Sequence, residues 1–242
     1  MTNKKLLEVF TISYQESDTI MELINFYRER VPDCIINVLD NMSTDDTEKI
    51  CKENNVNFSQ FDTGGKMDEQ TLINLRNNSW KNSDAKFVVM CDSDELVDVN
   101  QKDLEECYEN NTWNVCKCIG YELYGYDKHF KDAFYGVHGG GYDKVALFRR
   151  DQIEEMNYSP GSHSCDSKSK NGVPIIFCQK SVSLYHTKWM NFEYGLKRQN
   201  MIKEKGRSED SISKGWDYHY ELPDSDHIKW FTTLYDVRIK IR

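Results

Sequence analysis

Apolar positions in this chain fall into short unbroken runs, separated by stretches in which they recur at helical spacing. The sharpest run is 86–95, Lys-Phe-Val-Val-Met-Cys-Asp-Ser-Asp-Glu. A strand without polar alternation is buried on both faces, and this one stops abruptly at carboxylates. Residues 6–13 read as an earlier strand and 14–18 as the loop leaving its end. Ile20, Leu23, Ile24 and Tyr27 then predict a helix, capped by Ser17 or Asp18 and finished before Pro32. A second buried strand follows at 34–39. Strand, helix and strand in so few residues imply a parallel pair with a right-handed crossover. Residues 58–61 suggest a short third strand and 62–65 a turn. A helix over 68–81, with Leu72, Leu75 and Trp80 inward, brings the chain to the strand that ends in Asp92.

The second half is less patterned. Residues 113–124 alternate loosely, as in a strand. The stretch 127–141 contains His129, His138 and the run Gly139, Gly140, Gly141, which no regular element holds cheaply, so a mobile loop is expected. Strands are expected at 142–150, at 173–178 and within 182–189, with a short helix from Asp151 and a polar loop at 161–166. After His186 a helix carries Phe192 and Leu196 inward and Lys197, Arg198, Lys203 and Lys205 outward, stopping at Gly206. The polar segment 207–220 precedes an amphipathic closing helix built on Ile228, Phe231, Leu234, Tyr235 and Ile239. His138 and His219 read as loop or surface histidines.

Composition narrows the class. The 242 residues suffice for one full α/β domain, with 29% charged and 38% hydrophobic positions typical of a soluble globular protein. A net charge of −9 argues against nucleic-acid binding, so a phosphate ligand would need a metal or a local basic cluster. Lys4 and Lys5 are followed only by Leu6 and Leu7 before Glu8, which is no secretory signal, and no apolar run approaches membrane-spanning length. Several of the 8 cysteines lie in apolar runs (Cys34, Cys91, Cys178), as reduced core thiols of a cytoplasmic protein would. The spacing of Cys116 and Cys118 is not that of a zinc site. Arg238, Lys240 and Arg242 read as a solvated helix end, though they leave peripheral contact with a membrane open.

The chemistry gathers at strand ends. Alternation would place Asp92 and Asp94 on one face with Ser93 pointing away. Two adjacent carboxylates call for a cation, and oxygen ligands suit magnesium or manganese. The plainer explanation is a strand end followed by a helix cap. In the loop 40–47, Ser43 suits an N-cap, with Asp46 three residues on and Asp45 near the positive helix end. Capping leaves Asp40 and Asn41 unexplained at the C-terminal edge of a parallel strand, where open α/β sheets bind ligands.

In order along the chain, Ser13-Tyr14-Gln15-Glu16, then 40–45 (Asp-Asn-Met-Ser-Thr-Asp), then Leu75-Arg76-Asn77, then Asp92-Ser93-Asp94 resemble the family 2-like glycosyltransferases of the GT-A fold. The resemblance implies an α/β architecture with a Rossmann-like, mostly parallel sheet and a helical C-terminal segment at 190–242. Residues 1–98 would form the nucleotide-sugar half and 99–242 the acceptor half. It implies a nucleotide-sugar site comprising Ser13, Tyr14, Glu16, Asp40, Asn41, Arg76, Asp92 and Ser93. A divalent Mn2+ or Mg2+ would be held by Asp92, Asp94 and His186, with His163 and Lys188 on the acceptor or phosphate side. The activity implied is transfer from a nucleotide-diphosphate sugar, UDP-sugar favoured, to a glycan or other hydroxyl acceptor with inversion. Ser164 stands where the family carries a glutamate, which leaves Asp166, Glu154 and Glu155 as candidates for the catalytic base. A sugar nucleotidyltransferase would want a glycine-rich phosphate loop after the first strand, and 13–16 has no glycine. A catalytically inactive relative that binds only nucleotide or glycan would fit the missing glutamate.

Overall fold

The computed structural model describes residues 4–139 and 141–242; Gly140, within the predicted glycine loop, lies outside them. Strand β1 (Leu7–Ser13) leads to α1 (Ile20–Arg30), β2 (Ile35–Asp40), α2 (Thr47–Glu53), β3 (Asn57–Gln60), α3 (Glu69–Asn78) and β4 (Phe87–Asp92). These strands lie in the order β3-β2-β1-β4 and are parallel throughout, the expected crossover arrangement. The apolar run of β4 is buried between its neighbours as its sequence requires.

The remaining elements are β5 (Glu95–Val97), α4 (Gln101–Asn110), β6 (Val115–Leu123), β7 (Tyr135–His138), β8 (Lys144–Arg149), β9 (Ile153–Glu155), β10 (Lys168–Ser169), β11 (Ser183–His186), α5 (Phe192–Lys205), α6 (Glu209–Ser213), α7 (Asp224–Val237) and β12 (Ile239–Lys240). Strand β8 joins β4 antiparallel, and β6, β7 and β12 extend the sheet from there. The result is an α/β sheet, parallel in its first half and extended by antiparallel strands. Burying Leu7, Val9, Val38, Phe87 and Val89 at its centre contributes about 1.5–3 kcal/mol for each large side chain.

Several local expectations are corrected. Helix α1 starts after Thr19 rather than Ser17 or Asp18, and the Thr19 hydroxyl donates to the Glu16 carboxylate rather than capping the helix. Ser43 is not the cap of α2, because its N–H and hydroxyl donate to Asp40 at 2.7 and 2.6 Å. The helix begins four residues later, after Asp46. The carboxylate of Asp45 accepts instead from the N–H groups of Thr47 and Ser17. No helix follows Asp151: apolar Ile153 is buried in β9, which pairs with β10. Residues 173–178 are not a strand but a segment held by one bridge between Val115 and Phe177. Arg198 does not face outward, and Ile228 and Ile239 are exposed rather than inward.

The C-terminal segment returns to the first half. Asp68 caps α3 by accepting from the N–H of Thr71, and its other oxygen accepts from Ser208 Oγ at 2.8 Å. Glu69 N–H donates to Ser211 Oγ at 3.1 Å. The loop after β1 is clasped by α5: Arg198 lies 2.7 Å from the fully buried Glu16, whose carboxylate also accepts from Tyr194.

Candidate active site

The C-terminal ends of β1, β2 and β4 open on a cavity of about 410 Å3, closed on its other side by 186–189, α5 and the segment 217–230. Ser13, Tyr14, Asn41, Arg76, Asp92, Ser93, Asp94, His163, His186 and Lys188 line it, so the structure brings most of the sequence candidates together. Glu16 and Asp40 are buried behind the wall, the first paired with Arg198 and the second with Ser43. Asp166, Glu154 and Glu155 are not on the cavity at all. Asp166 and Glu154 are exposed on the β9–β10 hairpin, and Glu155 pairs with Lys81 at 2.6 Å. Glu154 and Glu155 lie on an edge strand in place of the expected helix, and Asp166 lies on the returning arm of the loop whose Gly161 and His163 reach the cavity.

The acidic motif is built differently from a continuing strand. Strand β4 ends at Asp92, and Ser93 and Asp94 form a turn, so Asp92 reaches the cavity from the strand's last residue and Asp94 through the turn. Arg76 Nη2 donates to both oxygens of Asp92 at 3.0 and 3.2 Å, while Nη1 donates to Glu69 at 2.9 Å. Burial would raise the Asp92 carboxyl, but Arg76, with Lys144 and His186 adding, holds it below the usual carboxylate range. The guanidinium is thus committed to two carboxylates. Among the described residues, Asp94 makes no side-chain hydrogen bond or ion pair. Its backbone carbonyl accepts from the N–H and hydroxyl of Thr187 at 2.8 and 3.1 Å, which ties the turn to the residue after His186.

Register places His186. Strand β11 pairs antiparallel with β5, setting His186 opposite Glu95, and parallel with β6, setting it opposite Glu122. His186 Nε2 is 3.2 Å from Glu95 Oε1 but out of line for a hydrogen bond, so this buried nitrogen has no partner. Burial holds the imidazole below its usual pKa, against the pull of Glu95. Glu95 is itself engaged by Lys144 at 2.9 Å. Burial pushes the Glu122 carboxyl up to about 8 against the attraction of Lys188, and Glu122 Oε1 is also unpartnered.

No three His, Cys, Asp or Glu side chains converge into a preformed metal cage among the described residues. Asp94, without a side-chain partner among the described residues, and His186, whose buried Nε2 lies 3.2 Å from Glu95 Oε1 without hydrogen-bonding it, nevertheless suit a divalent cation of the manganese or magnesium kind. Such ions take one or two protein ligands and fill their shells with substrate phosphates and water. Asp92, the third expected ligand, is held by Arg76 instead.

On the opposite wall, His163 Nδ1 is 3.0 Å from the carbonyl of Asp143, which fixes the proton on Nδ1 and leaves Nε2 as an acceptor. Burial, reinforced by Lys144, lowers its pKa. Residues that sequence reading passed over complete the lining: Glu95, Glu122, Lys144, Trp189, Arg198, Asp217, His219, Tyr220, His227 and Trp230. His219 is thus a cavity residue rather than a surface one, and burial drives it down to about 4 with Lys188 adding to the effect. Burial raises Asp217 to about 6, with Glu69 adding. Glu122 carried a readable signal, being charged near the apolar end of β6, whereas Glu95 and Lys144 open their strands directly after Asp94 and Asp143.

No family model matches the chain, and no curated protein does. In structure the chain is similar to S. aureus TarS 1–349, with a TM-score of 0.47 and 17% identity over 83% of this chain and 65% of that one. It is similar to the mannosyltransferase PcManGT from Pyrobaculum calidifontis in complex with GDP-Man and Mn2+, with a TM-score of 0.46 and 11% identity over 84% of this chain and 64% of that one. Glucosyl-3-phosphoglycerate synthase from Mycobacterium tuberculosis, in complex with Mn2+, UDP and glucosyl-3-phosphoglycerate, matches 48% of this chain and 44% of its own at 18% identity and a TM-score of 0.34. The chain spans less than two thirds of the length of each. At these scores the likeness is partial and assigns neither a family nor an activity to this chain.

Proposed function

We propose that this protein is a metal-dependent glycosyltransferase of the GT-A type, moving a sugar from a nucleotide diphosphate to a hydroxyl acceptor. The observation that carries this reading is the presence, among the described residues, of two donors without a hydrogen-bond partner, the Asp94 carboxylate and His186 Nε2, on a cavity at the C-terminal edge of a parallel sheet. That edge is where α/β sheets take nucleotides. A preference for UDP, and inversion at the anomeric carbon, follow from the sequence resemblance.

In this reading Asp94 and His186 hold the cation, which when bound would offset the charge that develops on a departing diphosphate. Lys188 is the cavity cation left to meet that diphosphate. It has no ion pair among the described residues; its amine lies 5.6 and 5.0 Å from the ring centroids of Trp189 and Tyr220, with Asp94 and Glu122 acting on it at longer range. Arg76 positions Asp92 rather than the phosphates, keeping that carboxylate ionised to accept from ribose hydroxyls. Tyr14 and Asn41 line the nucleobase end. His163 replaces Asp166, Glu154 and Glu155 as the proton acceptor for the incoming hydroxyl. Its tautomer is fixed through Asp143, and its lowered pKa keeps Nε2 free of a proton at neutral pH.

The test is UDP release from a panel of UDP-sugars with manganese. We expect turnover in the native protein and a loss of roughly 10²–10³-fold in Asp94→Asn, the scale of removing one electrostatic stabiliser of a transition state. Nucleotide binding without turnover would favour an inactive relative. Pyrophosphate-dependent formation of a nucleoside triphosphate would favour a nucleotidyltransferase.

A further inference from the structure

The ladder along β6 is interrupted beside the cavity. Strand β6 pairs with β8 up to Cys118, where it meets Lys144, and with β7 from Tyr121 onward, where it meets His138. Ile119 and Gly120 lie between the two pairings. Ile119 N–H turns to the other side of the strand and donates to the Val182 carbonyl at 2.8 Å, whereas Gly120 N–H faces 142–143. A buried N–H needs an acceptor, and here a side chain supplies it: the Asp143 carboxylate, at 3.0 Å. A Cβ at Gly120 would collide with the Tyr142 carbonyl, so only glycine lets this segment come so close.

Asp143 meets the cavity wall through its backbone as well. Its carbonyl is the partner of His163 Nδ1, at 3.0 Å. The carboxylate thus grips β6 while the carbonyl grips the imidazole, and the first contact sets the direction of the second. Lys117 and His138 approach the carboxylate only to 3.6 Å and are themselves about half exposed, so the bond to Gly120 is the tighter restraint. The backbone around His163 is held separately, with Gly161 N–H donating to Glu69 at 2.8 Å and Ser164 N–H to the Ser159 hydroxyl at 3.1 Å. What depends on Asp143 is therefore the ring and not the loop. Gly161 leaves the other nitrogen uncovered, because a Cβ there would lie against Nε2.

We propose that Asp143 is a positioning residue: its carboxylate, anchored on Gly120, aims its own carbonyl at His163 and so keeps the proton on Nδ1 and Nε2 open to the acceptor hydroxyl. This rests on the assignment of His163 as the proton acceptor above. A free imidazole prefers its proton on Nε2, the nitrogen a base must present bare, so without the carbonyl the ring settles in the unproductive tautomer. The interruption of the ladder then has a use, since irregular pairing next to a site re-aims the groups that flank it.

The experiment reads the His163 tautomer from imidazole nitrogen NMR shifts in the full chain at neutral pH, the signal being identified by its loss in His163→Gln. Nδ1 should carry the proton in the native protein, and Asp143→Ala should move it to Nε2. Asp143→Asn, which keeps an oxygen for Gly120, should restore the native tautomer. In turnover of a UDP-sugar with manganese, Asp143→Ala should lower kcat by roughly 10–100-fold, the scale of a displaced reacting group, with the donor KM changed by less than about twofold. It should cost nothing further in a His163→Gln background. An unchanged tautomer in Asp143→Ala, an Asp143→Asn chain with the tautomer of Asp143→Ala, or a loss that adds to that of His163→Gln would each overturn the proposal. If the native protein turns over no UDP-sugar, the transferase reading falls and the His163 tautomer alone decides the role of Asp143.

Discussion

The two walls of the cavity handle polar groups in opposite ways. On the wall built from the parallel strands the side chains satisfy one another: Arg76 bridges Glu69 and Asp92, Asp40 holds Ser43, and Asn41 exchanges hydrogen bonds with Thr63. On the wall built from β6, β11, 187–190 and the C-terminal helices, His186 Nε2, Glu122 Oε1 and both nitrogens of His227 are buried without partners. Native interiors pair nearly all such groups, so a cluster of exceptions calls for a physical reason. The first wall is largely preorganised, Ser13 Oγ and the Asp94 carboxylate being its exceptions. The second is completed by what binds there.

The contrast is broken most forcibly at Arg76. Replacing it by Met leaves the buried Glu69 and the partly exposed Asp92 without the cation between them, and should cost about 3 kcal/mol of stability. At roughly 2–4 °C per kcal/mol for a chain of this size, the melting temperature should fall by about 10 °C. Asp94→Asn, at a carboxylate with no partner, should move it by no more than about 0.5 kcal/mol in the absence of ligand. Equal losses in the two variants, read by thermal denaturation in chelator, would mean that Arg76 is not held in the pairings that set it apart from Asp94.

The same contrast governs what was legible in the sequence. The first wall could be read because its residues follow directly from strand ends: β1, β2 and β4 announce themselves as apolar runs, and Ser13, Tyr14, Asn41, Asp92 and Asp94 are simply where the runs stop. The alternation argument for Asp92 and Asp94 gave the right cavity for the wrong reason, since a turn and not a pleat presents Asp94. The second wall depends on long-range register. Glu122, Glu95 and His186 meet only because β11 pairs with both β5 and β6, and nothing local to any of those segments states that. Arg198 looked like a solvated helix position because its partner Glu16 is 182 residues earlier in the numbering, across a fold not yet formed. Glu154 and Glu155 failed as base candidates because β9 is too short and too polar to be told from a helix start, and Asp166 because only Gly161 and His163 of the loop after β9 reach the cavity.

A smaller effect of opposite sign is expected at His227. Exchanging an unpartnered buried imidazole for a ring of similar shape without polar atoms removes a penalty rather than a contact. His227→Phe should therefore raise unliganded stability by about 1 kcal/mol, or roughly 2–4 °C. A fall of similar size, measured by denaturant unfolding, would show that the imidazole is satisfied in solution, for instance by ordered water, and that the second wall is less open than its side chains suggest.

The smallest expected effect lies at the seam between the walls, where Lys205 of α5 rests 3.5 Å above the ring of Tyr14. Burial lowers this amine to about 8, with Arg198 adding to the effect while Asp40 and Asp62 oppose it. In the unfolded chain a lysine titrates near its ordinary value of about 10.4. Between these values the unfolded chain binds a proton that the folded one has released, so this group makes stability rise with pH across the window from about 8 upward. Below that window both states are protonated and the contribution stops changing. The amine is only half-buried, and solvent screening reduces the effect to less than about 1 kcal/mol. The measurement is the difference in melting temperature between the native protein and Lys205→Met, followed from pH 7.5 to 9.5, which cancels the titration of groups common to both. A native curve that gains on the variant as pH rises would show α5 seated on Tyr14 in solution. Parallel curves would mean that Lys205 is solvated and that the two walls meet more loosely there than their packing implies.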